Sequence, residues 1–260
     1  MTNISSPLII QLRVIVALML FEIRTLYGEA KLGYLWALIK TASGVLAILM
    51  LRICIHARAS HGISIISFLV MGFIIWQIFS QTVTKTMTVI KSNRTFLTFP
   101  QVYPLDIILA RLCVIISTEV VCGVLLLTIF EFLGFRDTLY CSDLYLLFFA
   151  IFGSALFGVS VGCIVQAVSR YIPALVRIIP LLLRILFFAS GVFFSVSSFS
   201  HKFGQWLLYN PVMQFIEMGR TAVSHSYPEY FDMQYLLMLL LPLITISLLL
   251  ERYARKYELR

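Results

Sequence analysis

The sequence predicts an all-α integral membrane protein with six transmembrane helices, and two observations carry that prediction. The chain of 260 residues is 60% hydrophobic and only 12% charged, with a mean hydropathy of +0.97. A soluble domain has about a quarter of its residues charged, so this much apolar surface requires lipid as its solvent. In addition, long apolar runs recur along the chain, and a helix needs about 20 such residues to cross the bilayer.

The first apolar stretch, residues 8–28, is interrupted by charges too often to cross a membrane. A helix continued from this stretch to residue 31 places Arg13, Arg24 and Lys31 on one stripe. This pattern predicts an amphipathic helix in the cytoplasmic interface, with its basic side toward lipid headgroups. Longer apolar runs then predict the transmembrane helices: 33–55, 62–84, 111–131, 144–169, 171–198 and 233–251.

The charged residues set the orientation of these helices. Cytoplasmic segments of membrane proteins carry an excess of Lys and Arg, and most of the 20 basic residues fall on one side when the N-terminus is inside. Both termini are therefore expected in the cytoplasm. The net charge of +8 is scattered over segment ends, which favours contact with membrane lipid and gives no patch for nucleic acid.

The segment 199–230 precedes the last predicted span on the outer side and is too apolar for a free loop. It is also too short and too charged to cross twice. We therefore expect a re-entrant helical hairpin, with a first helix to Leu208 and a second to about Ala222. The break falls at Asn210-Pro211, and Asn is favoured at a helix N-cap and Pro in the first turn.

The stretch GEAKLGY at 28–34 begins like a phosphate-binding loop but lacks the loop's Lys and hydroxyl residue. Because a functional loop reads G-x-x-x-x-G-K-[ST] after a strand, Gly28 and Gly33 are interpreted as a hinge before the first span. No Ser-His-Asp or paired-carboxylate arrangement lies at membrane depth, and the five cysteines lack metal-ligand spacing. No catalytic residue, metal site or bound cofactor is therefore predicted, and any ATP must bind to another subunit.

Charged residues inside the predicted spans are Glu119, Arg177 and Arg184. Charges at membrane depth are costly, so they pair with one another, snorkel to the surface or line a wet path. Arg177 and Arg184 are seven residues apart and share a helix face. They are either structural or a cationic wall for an anionic substrate, and Pro180 between them predicts a weakened helix.

The inner segment 91–104 combines basic, proline and aromatic residues, including Arg94, Phe96, Phe99, Pro100 and Tyr103. Such a segment can be an aromatic anchor in the membrane interface. Equally, a short helix over residues 92–99 can dock its apolar face into a groove on a cytoplasmic partner. The composition does not separate these two interpretations.

Three stretches resemble the membrane subunits of type-2 ABC exporters. RTLYGEAKLGYLWALIK (24–40) is similar to the family's R-x-x-Y/F-G…LG-x-LW-A signature, and FLTFPQVYPLDIILAR (96–111) to its inner coupling loop. YNPVMQFIEMGRTAV (209–223) is similar to its outer NP…E-x-x-R element. The short chain resembles the KpsM-type permeases of capsular polysaccharide export, while permeases for O-antigen and teichoic acid share much of the pattern. Where relatives often have Pro after LW-A, this chain has Lys40-Thr41.

The resemblance implies a homodimer in the bacterial inner membrane, in which each copy docks a cytoplasmic ABC ATPase through the loop 91–104. ATP and magnesium would be cofactors of that partner. The expected substrate is an acidic capsular polysaccharide on a lipid anchor, handed on to periplasmic and outer-membrane capsule proteins. Its path would use Tyr34, Trp36, Lys40, Glu119, Arg177, Arg184 and Tyr209. The outer re-entrant element would use Asn210, Pro211, Glu217 and Arg220.

Two other classes of membrane protein compete with the exporter. A secondary transporter is expected to show inverted repeats with broken spans, and no such symmetry is visible. A membrane enzyme for lipid-linked sugars needs clustered acids or His at the membrane surface, and the sequence shows no such cluster. The exporter is therefore favoured, with O-antigen or teichoic-acid polymers as alternative substrates.

Overall fold

The computed structural model describes residues 5–27, 33–54, 62–93, 95–99, 101–134, 141–196, 199 and 201–258. Within these ranges the chain forms helices, turns and loops without a strand, which confirms the all-α prediction. The helices are α1 (Ser5–Tyr27), α2 (Gly33–Cys54), α3 (Ile65–Met87), α4 (Val89–Ser92), α5 (Pro104–Phe132), α6 (Leu144–Val168), α7 (Leu175–Ala189), α8 (His201–Leu208), α9 (Pro211–Val223) and α10 (Met233–Glu258). A 3₁₀ turn covers Phe96–Thr98.

In the described part of the chain, 4 helices are long and apolar enough to cross a membrane. They are Ile65–Met87, Pro104–Phe132, Leu144–Val168 and Met233–Tyr253 within α10. The predicted spans 62–84, 144–169 and 233–251 fall on these helices. The predicted span 33–55 coincides with α2, whereas the proposed hinge before it lies at 28–32, outside the described residues.

Helix α5 runs from Pro104 to Phe132 and contains the predicted span 111–131, so the helix begins before that span. Pro104 lies in the first turn, and the carboxylate of Asp106 accepts a hydrogen bond from the backbone N–H of Tyr103 at 2.9 Å. This cap satisfies a donor that a helix start otherwise leaves free. The prediction treated the charge of Arg111 as a boundary, but Arg111 lies inside the helix and pairs with Glu22 of α1 at 3.2 Å.

Helix α7 covers Leu175–Ala189, the central part of the predicted span 171–198. The helix stops before Gly191, whose φ of +73° is a conformation that glycine adopts readily. A helix of 15 residues is about 22 Å long, short of the roughly 30 Å hydrocarbon core. The chain after α7 therefore continues without regular structure, and its carbonyl groups need other donors.

The inner loop does not form the helix predicted over 92–99. Helix α4 ends at Ser92, and the 3₁₀ turn Phe96–Thr98 follows separately. The side-chain amide of Asn93 donates to the carbonyl of Val89 at 2.8 Å. This bond occupies a carbonyl at the helix end, which explains why α4 does not continue.

Helix α3 lies at the centre of the bundle and packs against α2, α5, α6 and α9. It meets α6 at Gly158 and Gly162, where an added Cβ would lie 2.8 Å from the carbonyl oxygen of Phe79 and 3.0 Å from that of Val83. This G-x-x-x-G spacing allows two backbones to approach closely in a membrane. This close packing therefore fixes the position of α3 against α6.

Helix α1 packs along α5 and is held by charged groups. The carboxylate of Glu22 lies 3.4 Å from the Lys85 ammonium on α3 and 3.2 Å from the Arg111 guanidinium on α5. Near the start of α1, the amide of Gln11 donates to Asp106 at 2.5 Å. Helix α1 is thus attached to the inner corner between α3 and α5, while contact of its basic stripe with lipid stays a prediction.

The outer hairpin has the break that the sequence predicts. Helix α8 ends at Leu208 and α9 begins at Pro211. The side-chain oxygen of Asn210 accepts a hydrogen bond from the backbone N–H of Val212 at 3.1 Å, which caps α9. Every residue of α9 from Val212 to Val223 is buried, so the second arm of the hairpin is part of the core.

Candidate functional site

A groove of about 510 Å³ lies between α2, α3 and α7 and opens at the surface of the bundle. Helix α3 forms its floor, with side chains at the spacing of one helix face. The lining residues are Lys40, Phe73, Trp76, Gln77, Ser80, Gln81, Thr84, Pro180, Leu183, Arg184, Phe187 and Phe188. Three kinds of side chain meet here: cations, aromatic rings and neutral hydrogen-bonding groups.

The cations of the groove are Lys40 and Arg184, which the sequence predicts for the substrate path. They come from different helices, α2 and α7, and the fold brings both to the same groove. Both side chains are exposed, and neither forms an ion pair within the described ranges. Lys40 interacts electrostatically with the buried Glu119 carboxylate, but because both cations are exposed, they can attract an anionic group.

Aromatic residues form one wall of the groove. The rings of Trp76 and Phe187 have centroids 5.4 Å apart, and those of Phe73 and Phe187 are 6.3 Å apart. Phe73 and Trp76 are buried behind this wall, while Phe188 is 65% exposed and offers an apolar face for stacking without strong directional bonds. The wall therefore favours loose contact with the apolar face of a ligand.

A polar stripe on α3 forms the rest of the groove, and the sequence analysis missed it. Gln77, Ser80, Gln81 and Thr84 recur at intervals of three and four residues, so they share one helix face. The hydroxyl of Thr84 donates to the backbone carbonyl of Ser80 at 2.9 Å. Because the run 62–84 has no charge, a search for charges passed over it, although the helical spacing is visible in the sequence.

The other residues predicted for the path lie outside the groove lining. Glu119 is 5% exposed, and its Oε1 lies 2.5 Å from Nε2 of Gln81, so it stands behind the groove wall without lining it. Arg177 is exposed on α7, and Tyr209 is exposed at the hairpin next to Trp206. The side chains of residues 34 and 36, Tyr34 and Trp36, lie outside the described part.

The predicted coupling loop presents only some of its residues to solvent. Phe99 and Tyr103 are exposed, whereas the ring of Phe96 packs edge-on against Phe21 of α1 with centroids 4.7 Å apart. Arg94 and Pro100 fall outside the described residues. The loop therefore has an aromatic contact to α1 and also exposes the rings of Phe99 and Tyr103 at the surface.

A second charged region lies at the hairpin, around Arg220 of α9. Its guanidinium is fully buried, and each of its N–H groups has an acceptor. Four acceptors are backbone carbonyls, those of Phe68, Gly191, Val192 and Phe194. The guanidinium carbon also lies 3.4 Å from the centroid of the Phe68 ring, a cation–π contact. Arg220 therefore supplies the donors that the chain after α7 needs.

The negative partner in this cluster is Glu217, one helical turn before Arg220. Its Oε1 accepts from Arg220 at 3.0 Å, and its Oε2 accepts from the hydroxyl of Tyr227 at 2.6 Å. Burial, together with the Glu217 carboxylate, raises the pKa of Tyr227 above its ordinary value, which keeps the phenol protonated and able to donate. Ser195 lies 2.7 Å from the same hydroxyl and completes a closed network.

The two regions have different chemical capacities. The cluster at Arg220 has its hydrogen bonds occupied by the protein itself, so it has nothing left to offer a ligand. The groove offers free positive charge, aromatic faces and neutral polar groups. Among the described residues no group of three or more His, Cys, Asp or Glu could hold a metal ion. The groove is therefore the candidate functional site.

Comparison with known proteins identifies the class of this membrane protein. Residues 13–223 match the ABC-2 type transporter family. Since this match covers most of the chain, the protein belongs to the ABC-2 type transporter family. The sequence motifs resemble the same family. It is a multi-pass membrane protein.

Three relatives match along nearly the whole chain. The polysialic acid transport protein KpsM of Escherichia coli is 30% identical over 244 residues, covering 91% of this chain and 91% of the relative. The capsule polysaccharide export inner-membrane protein CtrC of Neisseria meningitidis is 23% identical, covering 95% and 94%. The capsule polysaccharide export inner-membrane protein BexB of Haemophilus influenzae is 25% identical, with the same coverage of 95% and 94%.

Proposed function

We propose that this chain is the transmembrane subunit of an ATP-driven exporter for an acidic, lipid-anchored capsular polysaccharide. The polymer would pass from the cytoplasm across the bacterial inner membrane. Membership of the ABC-2 type transporter family supports the class of protein, and relatives named for capsule polysaccharide export support the substrate. The observation that carries the proposal is the groove, in which two free cations lie beside aromatic rings and neutral polar groups.

The three kinds of lining residue match three features of an acidic polysaccharide. Its carboxylate or phosphate groups match Lys40 and Arg184, the apolar faces of its sugar rings match the aromatic wall, and its hydroxyl groups match the polar stripe on α3. Each contact is weak when taken singly, because the groove is open to water and the charges are screened. Many weak contacts let a long polymer slide without being trapped, as ions do in a pore.

The exposed arginines of α7 support a dimer. Arg177 and Arg184 lie on a helix whose outer surface also exposes apolar side chains. A cation facing hydrocarbon is unfavourable by about 2.5–3.5 kcal/mol on insertion scales, so lipid is a poor neighbour for this surface. A second copy of the chain that packs on α7 and covers the groove would shield this surface and form a closed path lined by both copies.

The remaining details of the topology follow from this arrangement. Six crossings with both termini in the cytoplasm agree with the distribution of Lys and Arg. Helices α2 and α7 would be the two crossings beyond the four long apolar helices, with the hairpin of α8 and α9 on the outer side. In this orientation the polar stripe of α3 and Lys40 lie toward the cytoplasm, where the polymer enters.

A separate ABC ATPase is the expected partner, since the sequence has no complete phosphate-binding loop. The exposed aromatic side chains of Phe99 and Tyr103 on the inner loop are suited to the apolar groove of such a partner. Phe96 contacts α1 instead. Movement of the loop would therefore reach α1 through the Phe96–Phe21 contact and the ion pairs of Glu22.

The first prediction tests the groove as the substrate path. The double change Lys40→Leu/Arg184→Leu removes both free cations and is compatible with an apolar setting. We expect export of an acidic capsule polymer to fall about tenfold, because two exposed charge contacts of about 0.7 kcal/mol each combine to a factor of ten. The measurement is surface polysaccharide in a host that expresses the chain with its ATPase, at equal permease levels in the membrane.

The same preparations test the class of protein. The ATPase is expected to co-purify equally with the wild type and the double variant, because the inner loop is unchanged. Normal export by the double variant would refute the groove as the path. Absence of any co-purifying ATPase from the wild type would refute the ABC exporter itself.

A further inference from the structure

The amide of Gln81 connects the groove to a buried carboxylate on another helix. Gln81 lines the groove from α3, and its Nε2 lies 2.5 Å from Oε1 of Glu119 on α5. The same nitrogen lies 3.5 Å from Oε1 of Gln77, one helical turn away in the groove lining. Oε1 of Glu119 is the acceptor in this contact, so Glu119 fixes which end of the Gln81 amide points toward α5.

This orientation determines what the groove wall offers to a ligand. With its nitrogen occupied by Glu119 and Gln77, Gln81 has its carbonyl oxygen left as a hydrogen-bond acceptor. Gln77 accepts through its oxygen and so has its amide nitrogen left as a donor. The two side chains therefore present an acceptor and a donor one helical turn apart, which is the combination that a sugar hydroxyl group can satisfy.

Glu119 is a buried carboxylate whose hydrogen bonds are incomplete. It is 5% exposed, and its second oxygen, Oε2, is buried with no hydrogen-bond partner within the described ranges. A buried carboxylate oxygen without a donor is unfavourable. The carboxylate interacts with Gln81, with the Thr41 side chain and with the charge of Lys40. Gln81 and Lys40 both line the groove, which relates Glu119 to the site.

We propose that Glu119 is a positioning residue for substrate recognition, and that the amides of Gln77 and Gln81 are the groups that contact sugar hydroxyls. Glu119 does not touch the polymer; it holds the Gln81 amide in the orientation that exposes its carbonyl oxygen. This inference rests on the proposed function and deepens it, because it names the neutral polar contacts that complement the charges of Lys40 and Arg184.

The test measures polymer-stimulated ATP hydrolysis by the chain with its ATPase partner in proteoliposomes. The probes are polysialic acid oligomers and dextran oligomers of equal length, one acidic and one neutral. Glu119→Leu removes the acceptor for Gln81. We expect the concentration for half-maximal stimulation to rise about fivefold with polysialic acid, corresponding to the loss of one hydrogen bond, with an unchanged rate at saturation.

Further variants distinguish positioning from a structural role. Glu119→Gln keeps an acceptor at the same place, so it is expected to restore half-maximal stimulation to within about twofold of the wild type. The double variant Gln81→Leu/Glu119→Leu is expected to show the same half-maximal concentration as Gln81→Leu alone. Gln166→Leu changes a buried glutamine of α6 away from the groove and serves as the matched control, with no change expected.

Each outcome decides the inference. If Glu119→Gln is as impaired as Glu119→Leu, or if the effects of Gln81→Leu and Glu119→Leu multiply, the positioning role is overturned while the exporter stands. Should Glu119→Leu fail to reach the membrane, Gln81→Leu makes the same prediction, and an unchanged half-maximal concentration overturns the inference. If neither probe stimulates the wild type, the proposed function and the inference fall together.

Discussion

Two regions of this molecule place basic side chains within an apolar bundle, and they treat them in opposite ways. At the hairpin, Arg220 is fully buried and each of its N–H groups is bonded to the protein, including a bond to Glu217. In the groove, Lys40 and Arg184 are exposed and form no ion pair in the part of the chain that the structure describes.

This difference shows how a structural cation can be told from a functional one. Both kinds stand out in the sequence, because charge is rare in this chain. A buried cation whose donors are all occupied holds the fold and has no capacity left for a ligand. A cation that is exposed and lacks a counter-ion contributes little to the fold and keeps its full attraction for an anion.

The largest effect is expected from Arg220→Leu. This change leaves four carbonyl groups without their donor and the Glu217 carboxylate buried without its counter-ion. Breaking a buried pair in this way lowers the free energy of unfolding by about 3–5 kcal/mol, so we expect little protein in the membrane. The measurement is the membrane level of the variant beside Arg184→Leu, which should accumulate normally. Equal accumulation of both variants would contradict the assignment of Arg220 as a structural cation and Arg184 as a functional one.

A smaller effect is expected from crowding the buried cluster with Gly72→Val. An added Cβ at Gly72 would lie 2.8 Å from Nη2 of Arg220, a group that is held in place by its own hydrogen bonds. Overpacking of this kind costs about 2 kcal/mol. Thermal unfolding of the purified protein should show it, with Ser80→Val on the groove face of α3 as a control that leaves the transition unchanged. A variant as stable as the wild type would mean that the guanidinium can move aside.

The next effect in size is expected from Tyr227→Phe. The change removes the hydroxyl that donates to Glu217 at 2.6 Å and leaves the ring in place. A hydrogen bond to a charged group contributes about 1.5 kcal/mol, and the same unfolding measurement should detect this loss. Tyr209→Phe, at an exposed tyrosine of the hairpin, is the matched control. If both variants unfold alike, the hydroxyl of Tyr227 does not support the carboxylate.

The smallest effect is expected from Arg177→Leu. Arg177 is exposed on the same helix as Arg184 but does not line the groove. We expect the free energy of unfolding to change by less than about 0.5 kcal/mol and export to stay within about twofold of the wild type. Surface polysaccharide and thermal unfolding check both expectations. A loss of export as large as that of Lys40→Leu/Arg184→Leu would show that positive charge along α7, rather than the groove, guides the polymer.

The elements that could be predicted from the sequence are those whose cause is local. Apolar runs predict α3, α6 and α10, and Asn210-Pro211 predicts the start of α9, because length, capping and backbone restriction act within a few residues. The end of α7 could not be predicted, since the carbonyl groups of the segment that follows it are satisfied by Arg220, 28 residues after Val192. A stabilising contact between distant parts of the chain leaves no trace in the local pattern.

The residues of the candidate site also separate into those with a signal in the local sequence and those without one. Lys40 and Arg184 could be identified by their charge, and the fold brings them to one groove. The role of Glu119 could not be read from sequence, because its contact with Gln81 joins residues 38 positions apart. Gln77 and Gln81 carry a detectable signal, a polar stripe at helical spacing within an apolar run, and the search for charged residues overlooked it.

The dependence of the segment after α7 on Arg220 has a consequence for the synthesis of the protein. The carbonyl groups of Gly191, Val192 and Phe194 emerge from the ribosome 26–29 residues before the side chain that binds them. In a bilayer without water they would lack any donor during that interval. This stretch can therefore form its final hydrogen bonds only after the hairpin has been translated, so the segment after α7 completes its folding together with the hairpin.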